Sequence, residues 1–197
     1  DMAPGVRKTY QKHYRRCLCN ACELLCGLEN SSETLSPVFA ALEEKQLVPT
    51  LESNESYTAA EREALQALLG CPEAQIISAQ QFAAKHAYTE TECATYQAMQ
   101  TLIDDLNTMH SRAGAQTPFS SLNYGTDTSP EGRMVIKNML LAEQAGLGHG
   151  ETPIFPIHIF KVKEGVNFNP GDPNYDLFRL ACKVSAKRLF PNFSFLD

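Results

Sequence analysis

TPFSSLNYGTDTSPEGRMVIKNMLLAEQAG, residues 117–146, is the stretch on which the fold turns. Its opening, Thr117 to Tyr124, has strand composition: Phe119, Ser121 and Asn123 alternate with Ser120, Leu122 and Tyr124, so the two faces differ in character. Ser129-Pro130-Glu131 then supplies a capping hydroxyl, a first-turn proline and an acid that suits a helix dipole. Val135, Ile136, Met139 and Leu140 follow at helical spacing, and Gly146 is the expected stop. A strand passed directly into an amphipathic helix is half of a β-α-β unit, and the following residues complete it. Ile154 to Lys163 is an apolar, β-branched run that predicts a strand buried on both faces. Asp172-Pro173 opens a second helix, with Leu177, Leu180, Ala181 and Val184 inward and Lys187-Arg188 suiting its negative end. Pro191 breaks that helix, and 192–196 reads as a third strand. The order β-α-β-α-β predicts parallel strands joined by right-handed crossovers. Such a unit belongs either to a doubly wound sheet or to a barrel, and the pattern alone does not separate them.

Working outward toward the amino terminus, the periodicity is helical throughout. Val6, Tyr10, Tyr14, Leu18 and Leu25 predict a helix over 5–27 that stops at Gly27. A second helix is expected from Leu35 to Leu47, opening at Ser36-Pro37, and Pro49 to Ser56 reads as a loop. Thr58-Ala59-Ala60-Glu61 is a capping box for a short helix with Leu65, Leu68 and Leu69 inward, closed by Gly70 and Pro72. Ser78-Ala79-Gln80-Gln81 predicts another helix to about Ala87. Thr89-Glu90-Thr91-Glu92 predicts the longest one, with Met99, Leu102, Ile103, Leu106 and Met109 on its apolar stripe and an end near Ala113-Gly114. The chain thus divides into a mainly helical region, 1–114, and a partial α/β region, 115–197, both parts of one larger domain.

Composition narrows the class. At 197 residues and 43% hydrophobic, the chain can bury one ordinary core. No apolar run reaches the roughly 18 residues of a membrane span, and the first twenty residues are basic and polar without a signal-type apolar centre, so the expected compartment is the cytoplasm. Seven cysteines without an export signal read as reduced thiols. The net charge of −6 argues against a nucleic-acid-binding surface, yet Arg7, Lys8, Lys12, Arg15 and Arg16 leave room for a local phosphate-binding patch. The chain opens on Asp1-Met2 and stops at Phe193-Ser194-Phe195-Leu196-Asp197, in strand composition, which predicts a piece of a longer polypeptide.

Each chemically suggestive group has an ordinary structural explanation beside it. Cys17, Cys19, Cys22 and Cys26 could hold zinc or an iron–sulfur cluster. However, Cys19, Cys22 and Cys26 fall at i, i+3 and i+7 of a helix and form a stripe, which favours buried free thiols. The basic group of 7–16 reads first as a solvated helix face. Gly146-Leu147-Gly148-His149-Gly150-Glu151 follows a helix and precedes a strand, the reverse of a phosphate-loop fingerprint, so it reads as a turn. His110 and His158 lack HExxH-type company. Cys182 is expected on the apolar side of its helix, in the core rather than as a nucleophile, and no serine, histidine and acid set stands out.

Asn107-Thr108-Met109-His110-Ser111-Arg112-Ala113-Gly114-Ala115-Gln116-Thr117-Pro118-Phe119, with Asn123-Tyr124-Gly125-Thr126-Asp127-Thr128-Ser129, resembles the large subunit of the anaerobic (class III) ribonucleotide reductases. The resemblance continues through Gly150-Glu151-Thr152-Pro153-Ile154-Phe155-Pro156, Asp172-Pro173-Asn174-Tyr175-Asp176-Leu177 and Ala186-Lys187-Arg188-Leu189-Phe190-Pro191. It covers 91–197, includes Ala3-Pro4-Gly5-Val6, and is loose over 27–88. It implies a ten-stranded parallel α/β barrel of the glycyl-radical enzymes. In that family a radical-SAM activase installs a glycyl radical, a thiyl radical abstracts the ribose 3′ hydrogen, the 2′ hydroxyl leaves as water, and formate or a thiol system supplies the reducing equivalents.

The same resemblance places the family's catalytic cysteines, its glycyl-radical loop and its structural zinc site outside 1–197. No catalytic residue, metal ligand or cofactor is therefore assigned within the chain, and 117–197 is expected to be barrel wall. Ser121 and Asn123 are candidate substrate contacts. The resemblance also implies nucleotide effectors, deoxynucleotides or ATP, bound at a homodimer interface of helices before the barrel. Arg7, Lys8, Lys12, Arg15 and Arg16 and the helix of 91–112 are the candidates there, through charge-assisted contacts to phosphate. The competing readings are a free-standing nucleotide-binding or dimerisation module and a thiol-bound metal module at 17–26.

Overall fold

The computed structural model describes residues 2–108 and 119–197, and it divides into two compact units, Ala3–Thr91 and Glu92–Asp197. The expected boundary at 114/115, the helix end near Gly114, Met109, His110 and most of the motif 107–119 lie outside the described residues.

The first unit is helical. α1 (Ala3–Cys26), α2 (Ser31–Glu44), α3 (Glu55–Leu69) and the first part of α4 (Glu73–Thr108) share one core. Tyr10, Tyr14, Leu18 and Cys22 face Leu35, Phe39 and Leu42 of α2, Tyr57 and Leu65 of α3, and Ile76, Ala79, Ala83 and Ala87 of α4. The i, i+3, i+4 spacing creates these stripes, and small alanines on α4 let helices approach closely. Each fully buried leucine, such as Leu35 or Leu65, contributes roughly 2 kcal/mol of burial.

Several local expectations fail here, because another residue takes the cap position or the helix runs on through the signal. α2 starts at Ser31, with Pro37 inside it rather than in its first turn, because Asn30 caps it and the Asn30 carbonyl accepts the Glu33 and Thr34 amides. Thr58 does not cap α3. Asn54 does, accepting the Tyr57 amide, so the expected loop ends before Glu55. Ser78 and Thr89 cap nothing, since their hydroxyls donate to the Ala74 and Lys85 carbonyls within the single 36-residue α4. Leu68, expected inward, and Leu25 are exposed, whereas Leu65 and the αL cap Gly70 match the expectation.

Among its described residues the second unit holds three strands, β1 (Ser121–Tyr124), β2 (Ile157–Lys163) and β3 (Asn192–Leu196), in order β1-β2-β3 and all parallel. Between them run α5 (Pro130–Ala145) and α6 (Tyr175–Arg188), as the β-α-β-α-β reading requires. The Ser129 hydroxyl accepts the Gly132 amide at 3.0 Å with Pro130 in the first turn, as expected, and Gly146 ends α5 at φ 82°. α6 begins at Tyr175 rather than at Asp172, with Asn174 before it. β2 begins at Ile157, and it is buried on one face rather than both. His158, Phe160 and Val162 pack beneath the helices, while Ile157, Ile159, Lys161 and Lys163 lie on the other side, with Ile154 exposed. The core on the covered side joins Ile136, Leu140, Phe160, Val162, Leu177, Ala181 and Val184. Met99 and Ile103 of α4 pack with Met139 and Ala142 of α5.

Candidate functional site

The sheet has one covered face and one open face, and the register decides which residues share the open one. Asn123 pairs with Ile159, and Ile159 with Asn192; Lys161 pairs with Ser194. With period-two alternation, Ser121, Asn123, Ile159, Lys161, Asn192 and Ser194 therefore share one surface. Ser121 and Asn123 are exposed there, while Leu122 and Tyr124 turn to the cores, so the expected two faces of the first strand are present.

The carboxyl ends of the strands, where parallel α/β sheets hold their ligands, are fastened by two buried asparagines. The Asn167 amide nitrogen donates to the Gly125 and Lys161 carbonyls at 3.0 and 2.9 Å, and its oxygen accepts the Lys163 amide at 2.8 Å. Asn174 donates to the carbonyls of Gly125 and Asp127. Arg133 of α5 in turn donates to the Asn174 side-chain oxygen, the Pro173 carbonyl and Asp176. Gly125 needs its missing side chain: at φ 125° a Cβ would lie 2.7 Å from the Lys161 carbonyl. The turn after β1 is thus rigid, and with it the position of Asn123.

Under the covered face, His158 places Nε2 3.1 Å from Glu143 Oε2 and Nδ1 2.9 Å from the Tyr124 hydroxyl. Glu143 and His158 are essentially inaccessible, and burial pushes the Tyr124 phenol up. The Tyr124–His158 hydrogen bond links β1 to β2, and Glu143 of α5 lies against the imidazole without a hydrogen bond to it. Arg188 lies in the last turn of α6, as read from sequence, and its guanidinium also donates to the Gln144 and Ala145 carbonyls at the end of α5 and to the Gly150 carbonyl. The glycine-rich 146–151 segment is a tied turn, with the Leu147 amide on the Glu151 carbonyl and the His149 amide on the Glu151 carboxylate. Cys182, expected in the core, is exposed, because the inward line of α6 runs through Leu177, Ala181 and Val184.

The basic residues of α1 separate into two sets. Arg7, Lys8 and Lys12 are exposed. Arg15 contacts Glu43 at 2.5 Å with its guanidinium over the Phe39 ring, and Arg16 pairs with Glu90. Arg15 and Arg16 also line a cleft of about 440 Å³ with Asn20, Ser31, Ser32 and Ser36. His13 lies beside Glu90 and Thr91, and partial burial lowers its pKa, reinforced by Arg16 and Lys12 and opposed by Glu90.

Sequence reasoning missed the centre of the helical unit. Glu61 is fully buried and accepts from Tyr14 at 2.8 Å, Tyr57 at 2.5 Å and Gln80 at 2.8 Å. Its place on the inward line, four residues before Leu65 and four after Tyr57, was the available signal. Cys17, Cys19 and Cys22 are buried in the same core, Cys26 is half-buried, and burial raises all four thiols. Among the described residues no group of three or more histidine, cysteine or acidic side chains is placed to hold a metal. No described helix is long and apolar enough to cross a membrane.

A family model described as "Anaerobic ribonucleoside-triphosphate reductase" matches residues 1–197. The proteins of that name from Haemophilus influenzae and Escherichia coli are each 40% identical to this chain, over 107 and 105 residues. Those stretches are 54% and 53% of this chain but only 15% and 14% of the relatives, so the match spans about a seventh of their length.

Proposed function

The chain belongs to the anaerobic ribonucleoside-triphosphate reductase family, and from that premise we propose that it is wall and regulatory-helix material of an enzyme reducing ribonucleoside triphosphates to deoxyribonucleoside triphosphates for DNA synthesis. The glycyl radical, installed by a radical-SAM activating protein, would generate the thiyl radical that abstracts the ribose hydrogen, and neither radical is assigned to a residue of this chain. What this chain contributes is shape and polarity. The three parallel strands are part of the ten-stranded barrel, and their open face looks into the substrate chamber. The observation that carries this reading is the alternation that leaves Ser121 and Asn123 together on the uncovered face, above a turn fastened by Asn167 and Asn174. The Asn123 amide and the Ser121 hydroxyl hydrogen-bond the bound nucleotide and hold it against the wall.

The exposed Lys8 and Lys12, with Arg7 and the cleft beside Arg15 and Arg16, bind the phosphates of a deoxynucleotide or ATP effector at a homodimer interface. The compartment is the cytoplasm. In the complete reductase, Asn123→Ala should lower kcat/KM by about tenfold to a hundredfold, in line with one lost hydrogen bond to substrate, without loss of helix content. Unchanged kinetics would remove Asn123 from the chamber. Lys8→Ala with Lys12→Ala should weaken effector response at unchanged effector-free activity, and an identical titration curve would exclude both lysines.

A further inference from the structure

The covered side of the sheet carries a polar set that stability alone does not explain. Glu143 and His158 are enclosed, and among the described residues neither Glu143 carboxyl oxygen nor His158 Nε2 has a hydrogen bond. Buried polar groups left in this way are a cost to folding. The set lies behind the candidate substrate contacts: Tyr124 follows Asn123 in β1, and His158 of β2 pairs with Leu122. The Tyr124 hydroxyl is 2.9 Å from His158 Nδ1, the two rings cross edge to face at 88°, and Glu143 Oε2 is 3.1 Å from His158 Nε2.

We propose that Tyr124, His158 and Glu143 are positioning residues that fix the placement of Asn123 toward substrate, an inference that rests on the reading of Asn123 as a substrate contact. The two nitrogens of the imidazole order the set. A Glu143 oxygen facing Nε2 favours the tautomer that carries its hydrogen there, which leaves Nδ1 as the acceptor. Burial pushes the Tyr124 phenol up, with the charge of Glu143 adding to the effect, so the hydroxyl keeps its proton and donates to Nδ1. Side chains alternate along a strand, so Tyr124 turns to the covered side where Asn123 turns to the open one. Anchoring Tyr124 therefore fixes the backbone that carries Asn123. Among the described residues β1 is laddered to β2 alone, and this side-chain anchor supplements that ladder, while Asn167 and Asn174 hold the next residue, Gly125. A misplacement on the order of 1 Å is enough to slow a reaction strongly.

The test is steady-state kinetics of the complete reductase. Tyr124→Phe, which keeps the ring and removes the hydroxyl, should lower kcat/KM about fivefold, the scale of one hydrogen bond, and Glu143→Gln should lower it too. His158→Asn keeps an acceptor near the place of Nδ1 and should retain most of the wild-type value, whereas His158→Leu should match Tyr124→Phe. Added to Asn123→Ala, Tyr124→Phe should cause no further loss, because its effect is exerted through Asn123. If Tyr124→Phe does not fold, Glu143→Gln combined with Asn123→Ala supplies the same cycle. Losses that multiply in the double variant would overturn the proposal, as would unchanged kinetics of Tyr124→Phe beside an impaired Asn123→Ala. Unchanged kinetics of Asn123→Ala would instead remove the substrate contact itself, and this inference with it.

Discussion

Glu61 shows how a single side chain can set the conditions under which a helical unit is stable. Its carboxyl is enclosed with three donors, and burial nonetheless raises its pKa above the ordinary carboxylate value, the hydrogen bonds from Tyr57, Gln80 and Tyr14 opposing that rise. A carboxyl that holds its proton more tightly when folded than when unfolded stabilises the fold at low pH. That contribution is present below the unfolded value of about 4.3 and is lost as pH rises through the raised folded value. The stability of wild type relative to Glu61→Gln should therefore grow as pH falls from neutral toward 4 in urea denaturation; the opposite slope would mean that the three donors dominate. Glu61→Ala leaves those donors unpaired and should cost about 3 kcal/mol. Arg188 acts at the same scale in the other unit. Its fork serves carbonyls of Gln144, Ala145 and Gly150 together, so Arg188→Ala should cost about 3 kcal/mol and Arg188→Lys most of that, because an ammonium cannot span the carbonyls. Equal stability of the lysine variant and wild type would show that charge alone suffices.

At the scale of elements, α4 carries the sharpest contrast between signal and outcome. Ser78 and Thr89 both look like starts, and neither is one. Residues 76, 79, 83 and 87 form an unbroken inward line in one unit, and 99 and 103 continue the apolar spacing in the other. Proline tells the two possibilities apart. Were Thr89 a cap, Glu90→Pro would occupy a first-turn position and be tolerated; in a continuous helix it should cost about 3 kcal/mol beyond the loss measured for Glu90→Ala, which already removes the Arg16 pairing. Comparison of the two variants by thermal unfolding and circular dichroism checks this. α5 is the complementary case. Ser129, Pro130 and Gly146 act as the local sequence indicates: the serine caps, the proline fills the first turn and the glycine ends the helix. β2 lies between these cases: its existence and inward residues were legible, but its apolar composition suggested two covered faces where the described residues cover one.

For the molecule as a whole, the sheet has, among the described residues, two unpaired edges and one uncovered face. β2 is central, β1 and β3 are edges, and Phe195 is 69% exposed beside Leu196. Unpaired edge groups and exposed apolar side chains are templates for further pairing, so the isolated 197-residue chain should self-associate with rising concentration. Phe195→Lys should reduce that association, as read by sedimentation. The candidate site is distributed in the same way. Ser121 and Asn123 were readable from alternation alone, since period two fixes which residues share a face. Lys161, Asn192 and Ser194 join them only through register, and Asn167 and Asn174 hold the turn from more than forty residues away from Gly125. By itself the sequence determined the element types, the parallel β-α-β-α-β order and the family, because periodicity, turn chemistry and motif blocks are local and survive without a partner. Tertiary structure alone decided which capping signals are used, where Glu61, His158 and Arg188 find their partners, and which side of the sheet stays open. Those outcomes depend on burial and on hydrogen bonds between residues far apart in the chain, and the energy of such contacts exceeds the roughly 1 kcal/mol that a local cap contributes.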